Sequence, residues 1–212
     1  MVPRTEPPAR APEASGRRFV LGISGASGAP YAVRTLEQLL LSGAEVHLVV
    51  TEFGRRLLRD EIGVAEPSLA QLCPNLAGAA GLSERLIVHP HKDVGAAIAS
   101  GGLRTDGMAI VPCSSTSLGA IASGSGSNLL TRAAAVTLKE RRPLVICHRE
   151  MPLSLIDIEN MRTLALAGAT LCSPNPGFYL HPASVRDVVD FVAGKVLDLL
   201  GVEHGLQTRW TG

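Results

Sequence analysis

Five short stretches of this chain carry side chains able to hold an anion or move a proton. The first, Gly22-Ile23-Ser24-Gly25-Ala26-Ser27-Gly28, stands directly before a helical pattern. Glycines let a backbone approach a phosphate closely, and a following helix N-terminus adds unpaired amides and the positive end of a dipole. Ser24 and Ser27 add two hydroxyls. No frame reads G-x-G-x-x-G, because serines take the second and third glycine positions counted from Gly22, and the Lys-Ser/Thr of a P-loop is missing. The loop therefore suits a mononucleotide phosphate or a flavin better than NAD or ATP. A tight strand-to-helix turn is the plainer alternative.

The second stretch, Cys113-Ser114-Ser115-Thr116-Ser117-Leu118-Gly119, has four successive hydroxyl residues. It reads as another loop for an anion or a ring edge, or as an ordinary serine-rich turn. Thr51 offers a hydroxyl to the same edge or serves only as a helix N-cap. In the third stretch Arg132 and Lys139 are seven residues apart, two turns along one helix face; they form a phosphate clamp or a solvated basic stripe. His148-Arg149-Glu150 is the fourth. Arg149 and Glu150 pair locally, or they divide into a phosphate ligand and an acid/base carboxylate, while His148 reads as structural. The fifth, Pro174-Asn175-Pro176-Gly177-Phe178-Tyr179, is a stiff loop that presents Tyr179, one of two tyrosines in the chain.

These stretches need a scaffold that brings them to one edge. Apolar periodicity predicts strands over 19–23, 45–50, near 87–88, and over 107–112, 144–147 and 169–172. It predicts helices over 30–41, 52–61, 68–72, 118–122, 129–139, 155–167 and 185–200. Such alternation builds right-handed βαβ units, hence a three-layer, doubly wound α/β fold of Rossmann-like type with a mainly parallel sheet and helices on both faces. In that fold the chemistry sits at the carboxyl ends of the strands, where the loops after strands one, two, four, five and six converge.

Composition narrows the partners. The chain has 212 residues, with 20 Lys plus Arg against 19 Asp plus Glu and a net charge of +1. No strong field is present to draw nucleic acid or an anionic membrane surface. Charged residues make up 18%, below the roughly 25% of an average globular protein, which predicts that surface is hidden in a homo-oligomer. Cys73, Cys113, Cys147 and Cys172 form no C-x-x-C pair, so reduced thiols in the cytoplasm are expected and a metal site is not. Residues 1–17 mix Pro, Ala and both charge signs, which predicts a disordered tail ahead of a single domain over 18–212. No apolar run approaches the roughly 18 residues of a membrane span.

Taken in order, the segments GISGASGAPYAVRTLE, ASGGLRTDGMAIVPCSS, NLLTRAAAVTLKERRPLVICHRE, PLSLIDIENM, PNPGFY and DVVDFVAGKVLDLLG resemble the flavin prenyltransferase family over residues 18–210. This family was formerly described as a 3-octaprenyl-4-hydroxybenzoate carboxy-lyase or aromatic acid decarboxylase subunit. It belongs to a superfamily of flavoproteins similar to the flavin-containing cysteine decarboxylases. The resemblance implies a homododecamer with interfacial sites that moves a dimethylallyl group from dimethylallyl phosphate to N5 and then C6 of reduced FMN, without metal. The prenylated FMN would pass to a partner decarboxylase. By motif, Gly25, Ala26, Ser27, Thr51, Ser114, Ser115, Thr116, Ser117 and Arg132 would hold FMN. Lys139, Arg149, Tyr179 and Lys195 would surround the prenyl phosphate. Ser27, Glu61 and Glu150 would serve the catalysis, Glu150 in proton transfer at ring closure.

The chain departs from the family pattern at several positions. Lys195 stands for a common Arg, His148 for a usual Pro, Ser114 to Ser117 for Ser-Met-x-Thr, Ser127 for Asp or Asn, and Val94 for an aromatic. A noncatalytic FMN-binding protein is therefore the second reading. A cysteine decarboxylase ranks third, because it would show a His in the first helix region and a Pro-x-Met-Asn motif, and no His precedes His47.

Overall fold

The computed structural model describes residues 14–206. Six strands form one sheet: β1 (Arg18–Ile23), β2 (Glu45–Val50), β3 (Leu86–His89), β4 (Gly107–Cys113), β5 (Leu144–His148) and β6 (Thr170–Leu171). Every pairing is parallel, in the order β3-β2-β1-β4-β5-β6. The chain winds outward from β1 in one direction and then from β4 in the other, so the strand order reverses between these two central strands, and their carboxyl ends open a crevice. The predicted doubly wound α/β class is the one observed.

The helices are α1 (Ala29–Leu41), α2 (Glu52–Ile62), α3 (Leu69–Leu72), α4 (Ser115–Ala122), α5 (Leu129–Lys139), α6 (Leu155–Leu166) and α7 (Val185–Leu199). Alternate strand residues divide the core in two, as a sheet covered on both faces requires. Phe19, Leu21, Val46, Leu48, Val145 and Cys147 pack beneath α1 and α7, while Val20, Met108, Ile110 and Ile146 pack beneath α4 and α5. Local chemistry sets the helix ends. Pro30 lies in the first turn of α1, after Gly28 at φ +134. Gly63, at φ +72, closes α2 in the left-handed conformation that glycine adopts without a Cβ penalty. Asn128, Ser154 and Ser184 start α5, α6 and α7 through reciprocal capping boxes.

Two elements differ from the sequence expectation. Helix α4 begins at Ser115 rather than at 118, because the Ser114 hydroxyl accepts from Ser117 N and caps it. Three of the four hydroxyl residues thus form a helical turn rather than a loop. Strand β6 is cut to two residues at the sheet edge, where few partners and the approaching Pro174 end the ladder. The expected disordered tail lies, through residue 13, outside the described residues. From there Ser15 N donates to Gly43 O, and the Arg17 guanidinium donates to the carbonyls of Leu200 and Gly201. No helix among the described residues is long and apolar enough to cross a membrane.

Candidate functional site

One buried serine draws the two central strands together at their carboxyl ends. Ser24 Oγ donates to Pro112 O (3.1 Å) and accepts from Ser114 N (2.8 Å), while Ser24 N also donates to Pro112 O (3.1 Å). The loop after β1 is thereby sewn to the loop after β4. Ser24 therefore does not offer its hydroxyl to a ligand as the sequence suggested. Within the Gly22–Gly28 loop it is Ser27 that stays exposed. Gly25 is required by the next loop, since a Cβ there would lie 2.5 Å from Phe53 Cβ at the start of α2. The exposed Phe53 ring flanks the same edge.

The N-terminus of α1 is already served by an anion of the chain itself. Glu61 Oε2 accepts from Gly28 N (3.0 Å) and Ala29 N (2.8 Å), a placement that the helix dipole favours. The amides that the sequence offered to a phosphate are thus held by a carboxylate. Thr51 takes the capping alternative, accepting from Gly54 N at 3.1 Å, and its own amide donates to Ile23 O at 2.9 Å. The open donors lie instead at α4. There Ser114 and Ser117 bond to each other, Thr116 is exposed, and Ser115 Oγ lies 3.2 Å from His148 Nε2. The first amides of a helix have no carbonyl of their own turn to bond, so Ser115 N and Thr116 N face the edge as donors.

Arg149 and Glu150 project from the end of β5, both exposed, with Arg149 N donating to Cys113 O at 3.1 Å. No ion pair joins them among the described residues. The Arg149 charge is felt at Tyr31 of α1. Burial and the neighbouring Cys147 thiol push the Tyr31 phenol up from its ordinary range, Arg149 pulls it down, and Glu61 pushes it up. Tyr31, Glu61 and Arg149 therefore share one neighbourhood, a convergence of α1, α2 and β5 that the sequence did not reveal for Tyr31. Buried Asp157 on α6 was missed as well. Its carboxyl is held below the usual range by hydrogen bonds from Ser154 and Ser115, and the Ser154-x-x-Asp157 capping signature was the signal that could have flagged it.

Of the remaining predicted residues, only Arg132 lies at the carboxyl-edge end of its helix, whose first amide, Leu129 N, donates to the His91 carbonyl after β3; Lys139, Tyr179 and Lys195 stand apart from this edge. Arg132 is exposed in the first turns of α5, its Nε 3.4 Å from Ala99 O. Lys139 ends the same helix just before β5 begins, hence toward the amino edge of the sheet, and its Nζ pairs with Glu140 at 2.8 Å. Tyr179 and Lys195 meet elsewhere, in a cleft of about 490 Å³ with Cys172, Ser173 and Asn175 between β6 and α7. Tyr179 is 51% exposed and packs edge-on against Phe191 at 6.1 Å. Gly177 permits this, because a Cβ there would lie 2.7 Å from the Tyr179 ring.

Open amides beside exposed hydroxyls, an aromatic face at Phe53 and a guanidinium at Arg149 together fit a flavin mononucleotide, which needs donors at its ring edge and phosphate and apolar cover on its ring. Among the described residues no group of three or more His, Cys, Asp or Glu could hold a metal ion. Comparison with known proteins agrees with this chemistry. Residues 9–197 match the family described as Flavoprotein. A protein of Halalkalibacterium halodurans named flavin prenyltransferase UbiX is 45% identical over 192 residues, covering 91% of this chain and 92% of that one. A crystal structure of AnUbiX (PadA1) in complex with FMN and dimethylallyl pyrophosphate superposes with a TM-score of 0.83 at 37% identity, covering 92% of this chain and 98% of that chain. A dodecameric FMN-dependent UbiX-like decarboxylase of Escherichia coli O157:H7 gives 0.79 at 39% identity, covering 92% and 100%.

Proposed function

This chain belongs to the Flavoprotein family and, within it, to the flavin prenyltransferases, and from that premise we propose that it transfers a dimethylallyl group from dimethylallyl phosphate to N5 and C6 of reduced FMN. The product is prenylated FMN, used by a partner decarboxylase. The observation that carries the reading is the superposition, over nine-tenths of the chain, on a structure holding FMN and a dimethylallyl donor. The amide and hydroxyl edge at α4 is the feature of this chain that such an acceptor needs.

Bound reduced FMN supplies the nucleophilic nitrogen and carbon. Gly25, Ala26, Ser27 and Thr51 from the loops after β1 and β2, Ser114 to Ser117 in the first turn of α4, and Arg132 would hold it. Lys139, Arg149, Tyr179 and Lys195 hold the leaving phosphate. An allylic phosphate ionises when fixed positive groups stabilise the charge that grows on the departing oxygens, so cationic side chains replace a metal here. Glu150 would take up the proton released when the ring closes, and Glu61, fixed by two backbone amides, is the second acidic group assigned to the site. Ser27, the exposed hydroxyl of the first loop, would assist at the reacting nitrogen of the bound flavin.

We treat residues 18–212 as one flavin-binding domain that works as a homododecamer in the cytoplasm. Exposed Met151, Leu155, Ile156 and Leu166 on and before α6 supply apolar surface for neighbouring copies. The test is anaerobic incubation of the purified protein with reduced FMN and dimethylallyl phosphate, followed by mass spectrometry of the released flavin. A flavin heavier by one dimethylallyl group is the expected result. Unmodified FMN released from a tight complex would instead establish the noncatalytic binding reading, and absence of FMN binding would end both.

A further inference from the structure

Behind the open turn of α4 lies a buried polar cluster for which the mechanism above has no use. His148, 3% exposed at the end of β5, places Nε2 3.2 Å from Ser115 Oγ and 3.9 Å from Asp157 Oδ1. Asp157 is itself anchored, since its Oδ2 accepts from Ser154 N (3.1 Å) and from Ser154 Oγ (2.6 Å). Strand β5 and helices α4 and α6 thus meet through one imidazole. The cluster also unites two departures from the family pattern, Ser115 and His148, as direct partners.

We infer that His148 is a positioning residue for the flavin site: braced by Asp157, its imidazole fixes the Ser115 hydroxyl and with it the first turn of α4. The geometry selects the tautomer. A proton on Nε2 is shared with Ser115 Oγ and faces the Asp157 carboxylate, whereas a proton on Nδ1 would turn a lone pair toward that carboxylate. It would also leave a buried donor unmet, because Nδ1 has no hydrogen-bond partner among the described residues. Burial lowers the pKa of the ring, against the opposing pull of Asp157 from α6 and Glu150 from its own loop, so the neutral form is the working one near pH 7. Ser115 Oγ is thus paired on the inner side of the turn. Its hydroxyl is committed inward, and the turn meets its ligand through the amides of Ser115 and Thr116. A turn held in advance does not pay the ordering cost on binding.

The inference rests on FMN binding at this edge, and the experiment separates the two. FMN affinity is measured by fluorescence quenching for the oligomeric protein and for His148→Leu, His148→Gln and His148→Asn, with circular dichroism and size exclusion as controls for folding. We expect His148→Leu to weaken FMN about tenfold, the scale of one lost hydrogen bond to a positioned group. His148→Gln, whose amide reaches the Nε2 position, should restore affinity to within about threefold of the native protein; His148→Asn, which reaches only as far as Nδ1, should not. In a Ser115→Ala background the His148→Leu loss should vanish, as coupling through Ser115 requires. Equal affinity of folded His148→Leu and native protein, or an undiminished loss in the Ser115→Ala background, would overturn the positioning role. If His148→Leu does not assemble, the Gln and Asn variants decide: equal affinities of these two overturn it. Failure of the native protein to bind FMN would overturn the functional reading itself.

Discussion

The two halves of the candidate site are built in opposite ways. The edge proposed to face the flavin is sewn from within: Ser24 joins β1 to β4, Glu61 holds the start of α1, Thr51 caps α2, and Ser115, His148 and Asp157 join α4, β5 and α6. The groups assigned to the prenyl phosphate are scattered and exposed. Arg149 stands at the end of β5, Tyr179 and Lys195 share a cleft beside β6, and Lys139 pairs with Glu140 toward the opposite edge of the sheet. On the proposed assignment, a single chain pre-forms the acceptor half and leaves the donor half to be gathered. Closed point-group assembly is a general way to gather it, because symmetry brings distant parts of identical chains together.

Substitutions can break that contrast from either side. The largest effect is expected at Glu150. Glu150→Gln should slow formation of prenylated FMN about a hundredfold or more, the scale of a lost proton carrier, and leave FMN affinity unchanged by fluorescence titration. An unchanged rate would remove Glu150 from the chemistry. On the acceptor side, Ser24→Val should loosen the seam. It leaves the part-buried Ser114 amide without its partner, at a cost of about 1 kcal/mol, read as a lower midpoint in chemical denaturation together with weaker FMN binding. Loss of stability with native FMN affinity would mean that the seam does not shape the flavin edge. On the donor side, Lys195→Arg exchanges a point charge for a two-pronged donor. It should lower KM for dimethylallyl phosphate about threefold with no change in FMN affinity, and an unchanged KM would place Lys195 away from the phosphate.

The smallest effect is one of pH. Burial lowers the pKa of His148 in the seam and of His47 and His89, which contact each other across β2 and β3 at 2.8 Å. As pH falls through about 6.5, the unfolded chain takes up these protons before the folded one does. Stability contributed by the neutral rings is therefore full above that pH and lost below it, which thermal melts from pH 7.5 to 5.5 would register. His148→Gln should flatten part of that slope, whereas Lys195→Arg should leave it as it is.

Legibility followed the same divide. The scaffold could be read because it rests on local rules. Apolar alternation marks the strands, Pro30 suits the first turn of α1 and Gly43 its end, and apolar periodicity outlines the helices. The glycine loop and the hydroxyl run were visible as binding loops, but their internal division of labour was not. Whether Ser24, Ser115 or Thr116 faces a ligand depends on which neighbour lies across the crevice, and spacing along the chain carries no such information. For the same reason Glu61 could be named as an acidic group, while its grip on the α1 amides, 33 residues away for Gly28, could not. His148 looked structural when taken alone; its partners come from two other elements. Lys139 and Arg132 do lie along one helix, yet two turns separate the flavin edge from the far end of the sheet, so a shared face did not mean a shared site.

That separation makes a direct test of the central claim, that the acceptor half belongs to one chain and the donor half is completed by a neighbouring copy. Lys139→Ala and Glu150→Gln subunits, each assayed first alone for its residual rate, are unfolded together, reassembled at equal ratio and assayed for prenylated FMN. If Lys139 acts in a neighbour's site, random pairing restores native residues to about a quarter of the sites and activity returns to that level. If both residues serve the site of their own chain, every site keeps one defect, and no recovery would contradict the account.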